Sequence, residues 1–148
     1  MKGCRPLTDE EVVLIAATFG GKYRVRDKAL FILGTYSGFR ISELLSIRIG
    51  DVLKNGQMLD RVTVARKNMK KKVSGRTVLL KPIAKEAVVQ WIEELKENGH
   101  TDPDTCLFRS RKGGNRPISR VQAYRVIREA CDANDLTGKL GTHSMRKT

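Results

Sequence analysis

Three groups of cations in this sequence stand at the ends of its predicted elements, where a charged side chain could do chemistry. Arg40 follows Gly38-Phe39 and opens an otherwise apolar run, with Glu43 shortly after it. Lys67, Lys70, Lys71 and Lys72 crowd a segment between two alternating stretches, and His143 and Arg146 lie together in the closing GTHSMRKT. Thr142 reads as an N-cap there, which places His143 and Arg146 on one face of a helical turn. An arginine guanidinium is planar, permanently protonated and able to hold two oxygens at once. A histidine, with an ordinary pKa of about 6.5, can hold or release a proton near neutrality. Each group taken alone also has a simpler reading. Arg40 and Glu43 fit a surface ion pair of roughly 0.2–0.5 kcal/mol, the lysine run fits a solvated loop, and His143 fits a capping residue.

Other chemistries lack their residues. There is no G-x-x-x-x-G-K-[ST] phosphate loop and no carboxylate cluster with metal-binding spacing. Cys4, Cys106 and Cys131 form no C-x-x-C pair, so neither a zinc site nor a disulfide framework is expected, and a reduced cytoplasmic setting fits. His100 follows a helix-ending glycine and reads as a solvated loop residue. No stretch approaches the roughly 18 apolar residues of a membrane span, and MKGCRPLTDEE has no signal-peptide core. A soluble cytoplasmic protein without membrane contact is the expectation. Lys and Arg number 29 against 16 Asp and Glu, a net charge of +13 on 148 residues. Such an excess points to a polyanionic partner, nucleic acid first, although a merely soluble basic protein shares it.

The elements that must position these cations follow from periodicity. Thr8 and Glu11 have capping-box spacing ahead of an apolar run, which predicts a first helix. VRDKALFILGTYSG predicts a second, mostly buried helix ending near Gly38. FRISELLSIRIGDV predicts a third, with Leu44, Leu45 and Ile47 inward and Gly50-Asp51 ending it. DRVTVAR and GRTVLLK alternate, predicting an antiparallel hairpin whose basic tip is KNMKKKVS. Ile83, Ala84, Ala87, Val88, Trp91, Ile92 and Leu95 form one helical stripe closed by Gly99, with Trp91 in the core. A loop with a short strand at Cys106 to Phe108 follows, then a helix capped by Ser119 and the start of a last one. The length suits a single domain, residues 1–148, that buries about 68–70% of its unfolded surface. The fold class is α+β, mainly α-helical with a small antiparallel sheet.

YSGFRISELLSIRIGDV resembles the first signature box of the tyrosine recombinase (phage integrase) family, approximately T-G-x-R-x-S-E-L-x-x-L-x-x-x-D. Gly38, Arg40, Ser42, Glu43, Leu44, Ile47 and Asp51 carry the match. LFRSRKGGNRPISRVQAYRVIREACDANDL followed by THSMRKT resembles the stretch that leads to the family's H-x-x-R box. The basic hairpin lies between the two, as in the family, and the likeness runs along essentially the whole chain.

The resemblance implies the fold of a DNA breaking-rejoining catalytic domain and a chemistry that needs no metal or other cofactor. A tyrosine hydroxyl attacks a phosphodiester, forms a 3′-phosphotyrosyl link and releases a 5′-hydroxyl, and a hydroxyl then reverses the step. Arg40 and Arg146 would hold the non-bridging oxygens, and His143 would bond the phosphate or manage the nucleophile's proton. Lys67 best matches the lysine that protonates the leaving oxygen, with Lys70, Lys71 and Lys72 as alternatives or phosphate contacts. Arg76, Arg111, Lys112, Arg116 and Arg120 are candidates for the backbone of double-stranded DNA, though any one of them also fits a solvated side chain.

Tyr23, Tyr36 and Tyr124 all precede the H-x-x-R box and match no nucleophile position. Lys147 stands where the family often has His. The resemblance therefore implies the N-terminal part of a catalytic domain, without the DNA-clamping N-terminal domain and without the nucleophile segment, inactive alone in strand cleavage. Family members assemble as tetramers by exchanging C-terminal segments; this chain alone is expected to be a monomer. The alternative is a non-catalytic DNA-binding protein that keeps the recombinase scaffold. An RNA-binding module is disfavoured by 5% aromatic content and the lack of a stacking motif on a strand.

Overall fold

The computed structural model describes residues 5–64, 76–136, 138, 140, 141, 144 and 145. Helix α1 (Asp9–Thr18) begins as its sequence requires. The Thr8 Oγ1 accepts from the Glu11 amide at 3.1 Å, and the Glu11 carboxylate accepts from the Thr8 amide at 2.9 Å. Arg5 grips the same carboxylate with two bonds, of 2.8 and 2.7 Å. That guanidinium first, and the Thr8 amide second, pull the Glu11 pKa down to about 2.

Helix α2 (Arg24–Ser37) is the central element. Ala29 to Leu33 are all buried, as expected of a helix covered on several sides. It packs against α5 (Pro82–Glu97) and touches α1 and α3 (Ile41–Leu45). Gly38 ends it in the left-handed region at φ +71°, its amide donating to the Gly34 carbonyl at 3.2 Å.

The expected third helix is instead two. After α3 the amides of Ser46 and Ile47 bond back to Glu43 and Leu44, closing the turn. The chain then extends before α4 (Ile49–Val52). Gly50 and Asp51 do not end a helix; they start one. The Asp51 carboxylate accepts from the Arg48 amide at 2.8 Å. The Ile49 and Gly50 amides, free of helical partners, donate to the Thr105 and Pro103 carbonyls at 2.9 and 2.8 Å. Gly50 serves close approach: a Cβ there would lie 3.1 Å from the Pro103 side chain.

Two small antiparallel sheets follow. β1 (Leu53–Lys54) and β2 (Gln57–Met58) form a hairpin that the alternation did not reveal. Its turn is Asn55-Gly56, both at positive φ (53° and 79°), as a type I′ turn needs. β3 (Arg61–Val64) and β4 (Arg76–Leu79) are the expected hairpin arms, paired Arg61 with Leu79 through Val64 with Arg76. Val62 and Val64 face the core, and the Thr63 and Thr77 hydroxyls meet outside at 2.7 Å.

Pro82 begins α5 at a position where a missing amide costs nothing. Its buried stripe runs from Ala84 to Leu95; Ile83 is not part of it but exposed, about 100° of helical rotation from Ala84. Trp91 is core, and its indole N–H donates to the buried Leu107 carbonyl at 2.5 Å. Cys106 to Phe108 form no strand. Arg48 pairs with Cys106, and Arg109 with Pro117, as isolated bridges. Helix α6 (Arg120–Ala133) is capped by Ser119, whose Oγ accepts from the Gln122 amide at 3.0 Å. It packs on α1 and α3. Ser144 and Met145 are helical and buried. Among the described residues no helix is long and apolar enough to cross a membrane.

Candidate functional site

Arg40 is the N-cap of α3, and how it is held differs from the surface ion pair that spacing alone suggests. Its backbone is extended (φ −69°, ψ 155°), and its carbonyl accepts the first helical bond, from Leu44 at 3.0 Å. The Glu43 carboxylate does not reach out to the Arg40 guanidinium. It turns inward, is buried, and accepts from the Arg40 backbone amide at 2.7 Å. Glu43 thus fixes the backbone from which Arg40 projects. The Arg40 side chain is exposed and forms no ion pair among the described residues. A rigidly rooted, uncompensated guanidinium is what anion recognition requires.

The second contact on Glu43 comes from the hairpin. Arg76, the first residue of β4, sends its Nη1 to the Gly38 carbonyl at 3.2 Å and to Glu43 Oε1 at 3.4 Å. Its guanidinium carbon lies 5.4 Å from the centre of the Phe39 ring. Arg76 was expected on the DNA backbone; the structure places it against the Gly38–Glu43 turn. The strand period carried a signal for this, since Arg76 shares a side of β4 with the half-buried Val78.

A third constraint comes from Gly34, in the last turns of α2. A Cβ there would lie 3.0 Å from the Met145 sulfur and 3.1 Å from the Leu44 Cδ1. Only glycine lets these two side chains meet the helix so closely. Leu44 belongs to the Arg40 helix, and Met145 lies between His143 and Arg146 in the sequence. His143 and Arg146 themselves, with Lys67, Lys70, Lys71 and Lys72, lie outside the described residues.

The remaining cations gather elsewhere. Arg111, Lys112, Arg116 and Arg120 are all exposed, on the loop before α6 and at its first turn. The loop closes on itself: Ser110 donates to the Arg116 carbonyl at 2.7 Å, and Ile118 to Phe108 at 2.9 Å. Arg109 braces it from below, bonding His100 Nδ1 and the Gly114 carbonyl, each at 3.3 Å. His100 is therefore half-buried and engaged, not a solvated loop residue. A cleft of about 700 Å³ lies between this loop and the start of α2.

Tyr23 and Arg26 also line it, and the sequence assigned neither to a binding site. Arg26 is buried, pairs with Asp27 at 3.0 Å and lies 4.4 Å from the Tyr23 ring centre. Burial pushes the Asp27 carboxyl up, against the pull of Arg26. Two cysteines, Cys106 and Cys131, are buried free thiols, and burial raises that of Cys131. Among the described residues no three His, Cys, Asp or Glu side chains come together as metal ligands would.

Comparison with known proteins bears on the family and the fold. Residues 5–148 match the sequence model of the phage integrase family. A probable integrase/recombinase, YoeC of Bacillus subtilis (strain 168), is 37% identical over 123 residues, which cover 83% of this chain and 60% of that protein. The fold matches the crystal structure of XerA recombinase with a TM-score of 0.76 at 20% identity, over 99% of this chain and 48% of that one. It also matches XerH site-specific recombinase bound to its difH substrate, with a TM-score of 0.72 at 23% identity, over 100% of this chain and 42% of that one. The chain thus spans about 60% of the curated relative's length and under half of the solved chains.

Proposed function

The chain belongs to the phage integrase (tyrosine recombinase) family, and on that premise we propose that it carries the phosphate-binding part of a site-specific recombinase catalytic domain acting on double-stranded DNA. The observation that supports this most is Arg40: an exposed guanidinium whose backbone is fixed by a buried carboxylate and whose helix is seated in the core.

In the proposed reaction charge builds on the non-bridging oxygens of the scissile phosphate. Arg40 and Arg146 bind those oxygens with planar guanidinium donors. Loss of one such preorganised donor costs about 2.7–4 kcal/mol of barrier. His143 bonds the phosphate or takes the proton of the attacking hydroxyl. Lys67 delivers a proton to the 5′-oxygen as its bond to phosphorus breaks, with Lys70, Lys71 and Lys72 as neighbours able to replace it or to bind phosphate. Leu44 of the Arg40 helix and Met145, which lies between His143 and Arg146 in the sequence, both pack against Gly34, which supports a shared site. None of Tyr23, Tyr36 and Tyr124 is assigned the nucleophile, so these 148 residues alone should not cleave.

The exposed cations Arg111, Lys112, Arg116 and Arg120 are assigned to flanking DNA phosphates, and the nucleoid is the place of action. The active assembly on DNA is a tetramer, while this chain by itself is a monomer, which light scattering can check. Duplex affinity should fall about 10³–10⁵-fold between 50 and 200 mM salt for 6–10 phosphate contacts. Tighter binding of single-stranded RNA than of duplex DNA would overturn the assignment. Duplex binding with no loss of orthovanadate affinity on Arg40→Ala would instead identify a DNA-binding protein that keeps the scaffold without the chemistry.

A further inference from the structure

We propose that Arg76 is a positioning residue for the phosphate site and not a DNA contact: it locks the hairpin's second strand onto the turn that presents Arg40. The inference rests on the proposed phosphate site at Arg40 and adds a residue to it.

Arg76 makes three different contacts with one short segment. It donates to the Gly38 carbonyl, pairs with the buried Glu43 carboxylate and covers the face of Phe39. Gly38 and Phe39 immediately precede Arg40, and Glu43 caps Arg40's own amide. The guanidinium thus closes a ring of contacts from β4 through Gly38 and Glu43 back to the backbone of Arg40. Space for it is built into the turn. Gly38 sits at φ +71°, and a Cβ there would reach to 3.5 Å from the other guanidinium nitrogen.

The partners of Arg76 also decide against a phosphate-binding role for it. Its guanidinium already has a carboxylate, a carbonyl and a ring, and the side chain is 29% exposed. Arg111, Lys112, Arg116 and Arg120 are exposed by contrast. A planar fork is needed because one group must satisfy a carbonyl and a carboxylate at once; a lysine ammonium keeps the charge but not that geometry. β4 is thereby tied to the Arg40 turn, so disturbing Arg76 should displace the backbone from which Arg40 projects.

The test measures two quantities on the full chain. Orthovanadate affinity, followed by vanadium-51 NMR line broadening, reports the phosphate site, and the salt slope of duplex binding counts DNA phosphate contacts. Arg76→Ala should weaken orthovanadate binding roughly 10–100-fold, the scale on which misplacing a binding group by about 1 Å acts. The salt slope should not change, and Arg40→Ala combined with Arg76→Ala should bind orthovanadate no worse than Arg40→Ala alone. Arg76→Lys should also lose orthovanadate affinity, and it takes the place of Ala if the latter does not fold. A slope reduced by about 0.9 with orthovanadate binding intact would make Arg76 a DNA contact and overturn the proposal. Unchanged values of both would overturn it as well. If Arg40→Ala itself leaves orthovanadate binding intact, the phosphate site falls, and this proposal with it; if only Arg76→Ala does, the site stands and the positioning role alone falls.

Discussion

Replacing Glu43 by alanine removes the acceptor for the Arg40 amide and the carboxylate beside Arg76. The two losses differ in size. The Arg40 amide bonds a buried carboxylate at 2.7 Å, and hydrogen bonds to charged groups contribute about 1.5–3 kcal/mol. The Arg76 guanidinium is partly solvated and 3.4 Å away, so its pairing adds about 0–1 kcal/mol. Together Glu43→Ala should cost about 2–4 kcal/mol. For a domain of this size that lowers Tm by about 4–16 °C. Glu43→Gln separates the parts, since its amide oxygen can still accept from Arg40 while the charge is gone. It should cost about 1 kcal/mol. Urea unfolding of the three proteins, with equal m-values, gives both numbers. An alanine variant within about 0.5 kcal/mol of the parent would refute the capping role. A glutamine variant as unstable as alanine would show that the charge, not the cap, holds the turn.

Acid should loosen the N-terminus. Glu11 is depressed from an ordinary 4.5 to about 2, so its contribution is complete above pH 4.5 and is lost as pH falls from there toward 2. Glu11→Gln should flatten that part of a stability–pH curve and cost roughly 1 kcal/mol at neutral pH; an unchanged acid limb would contradict this. Trp91→Phe leaves the buried Leu107 carbonyl without its donor and should cost about 1–3 kcal/mol by denaturant melts, far more than a surface substitution. Arg111→Ala and Arg116→Ala should each reduce the salt slope of duplex binding by about 0.9 while leaving Tm within a degree or two, and an unaltered slope would remove that residue from the DNA interface.

Much of this was legible in the chain because single residues enforce it locally. Thr8 with Glu11, Ser119 and Gly38 fix helix ends through their own hydrogen bonds or backbone preference, and each does so here. Alternation at Val62 and Val64 found the larger hairpin. The break between α3 and α4 was not visible, because its cause is distant: the carbonyls of Pro103 and Thr105 take the amides that would otherwise continue the helix. The same holds for Gly50, whose need is space for Pro103 and not a turn of its own. Asn55-Gly56 is a turn signal, but the two-residue strands it joins carry no measurable period.

At the site, spacing found Arg40 and Glu43 as neighbours but assigned their contact to the wrong atoms. Whether a carboxylate meets a guanidinium or a backbone amide depends on which face of α3 is buried, and packing on α2 and α6 decides that. Arg26 was likewise hidden, because a buried arginine paired with Asp27 and set against the Tyr23 ring leaves no mark in the helical period.

The most direct test of the account is orthovanadate binding by the intact chain and by Arg40→Ala, with Arg111→Ala as a charge-matched control. A specific complex that phosphate displaces is expected. It should be weakened roughly 10–100-fold by Arg40→Ala, as expected for a charge-assisted contact of about 1.5–3 kcal/mol, and left intact by Arg111→Ala. Equal weakening by both substitutions would mean that only net charge is being read, and would contradict a phosphoryl-transfer site built on Arg40.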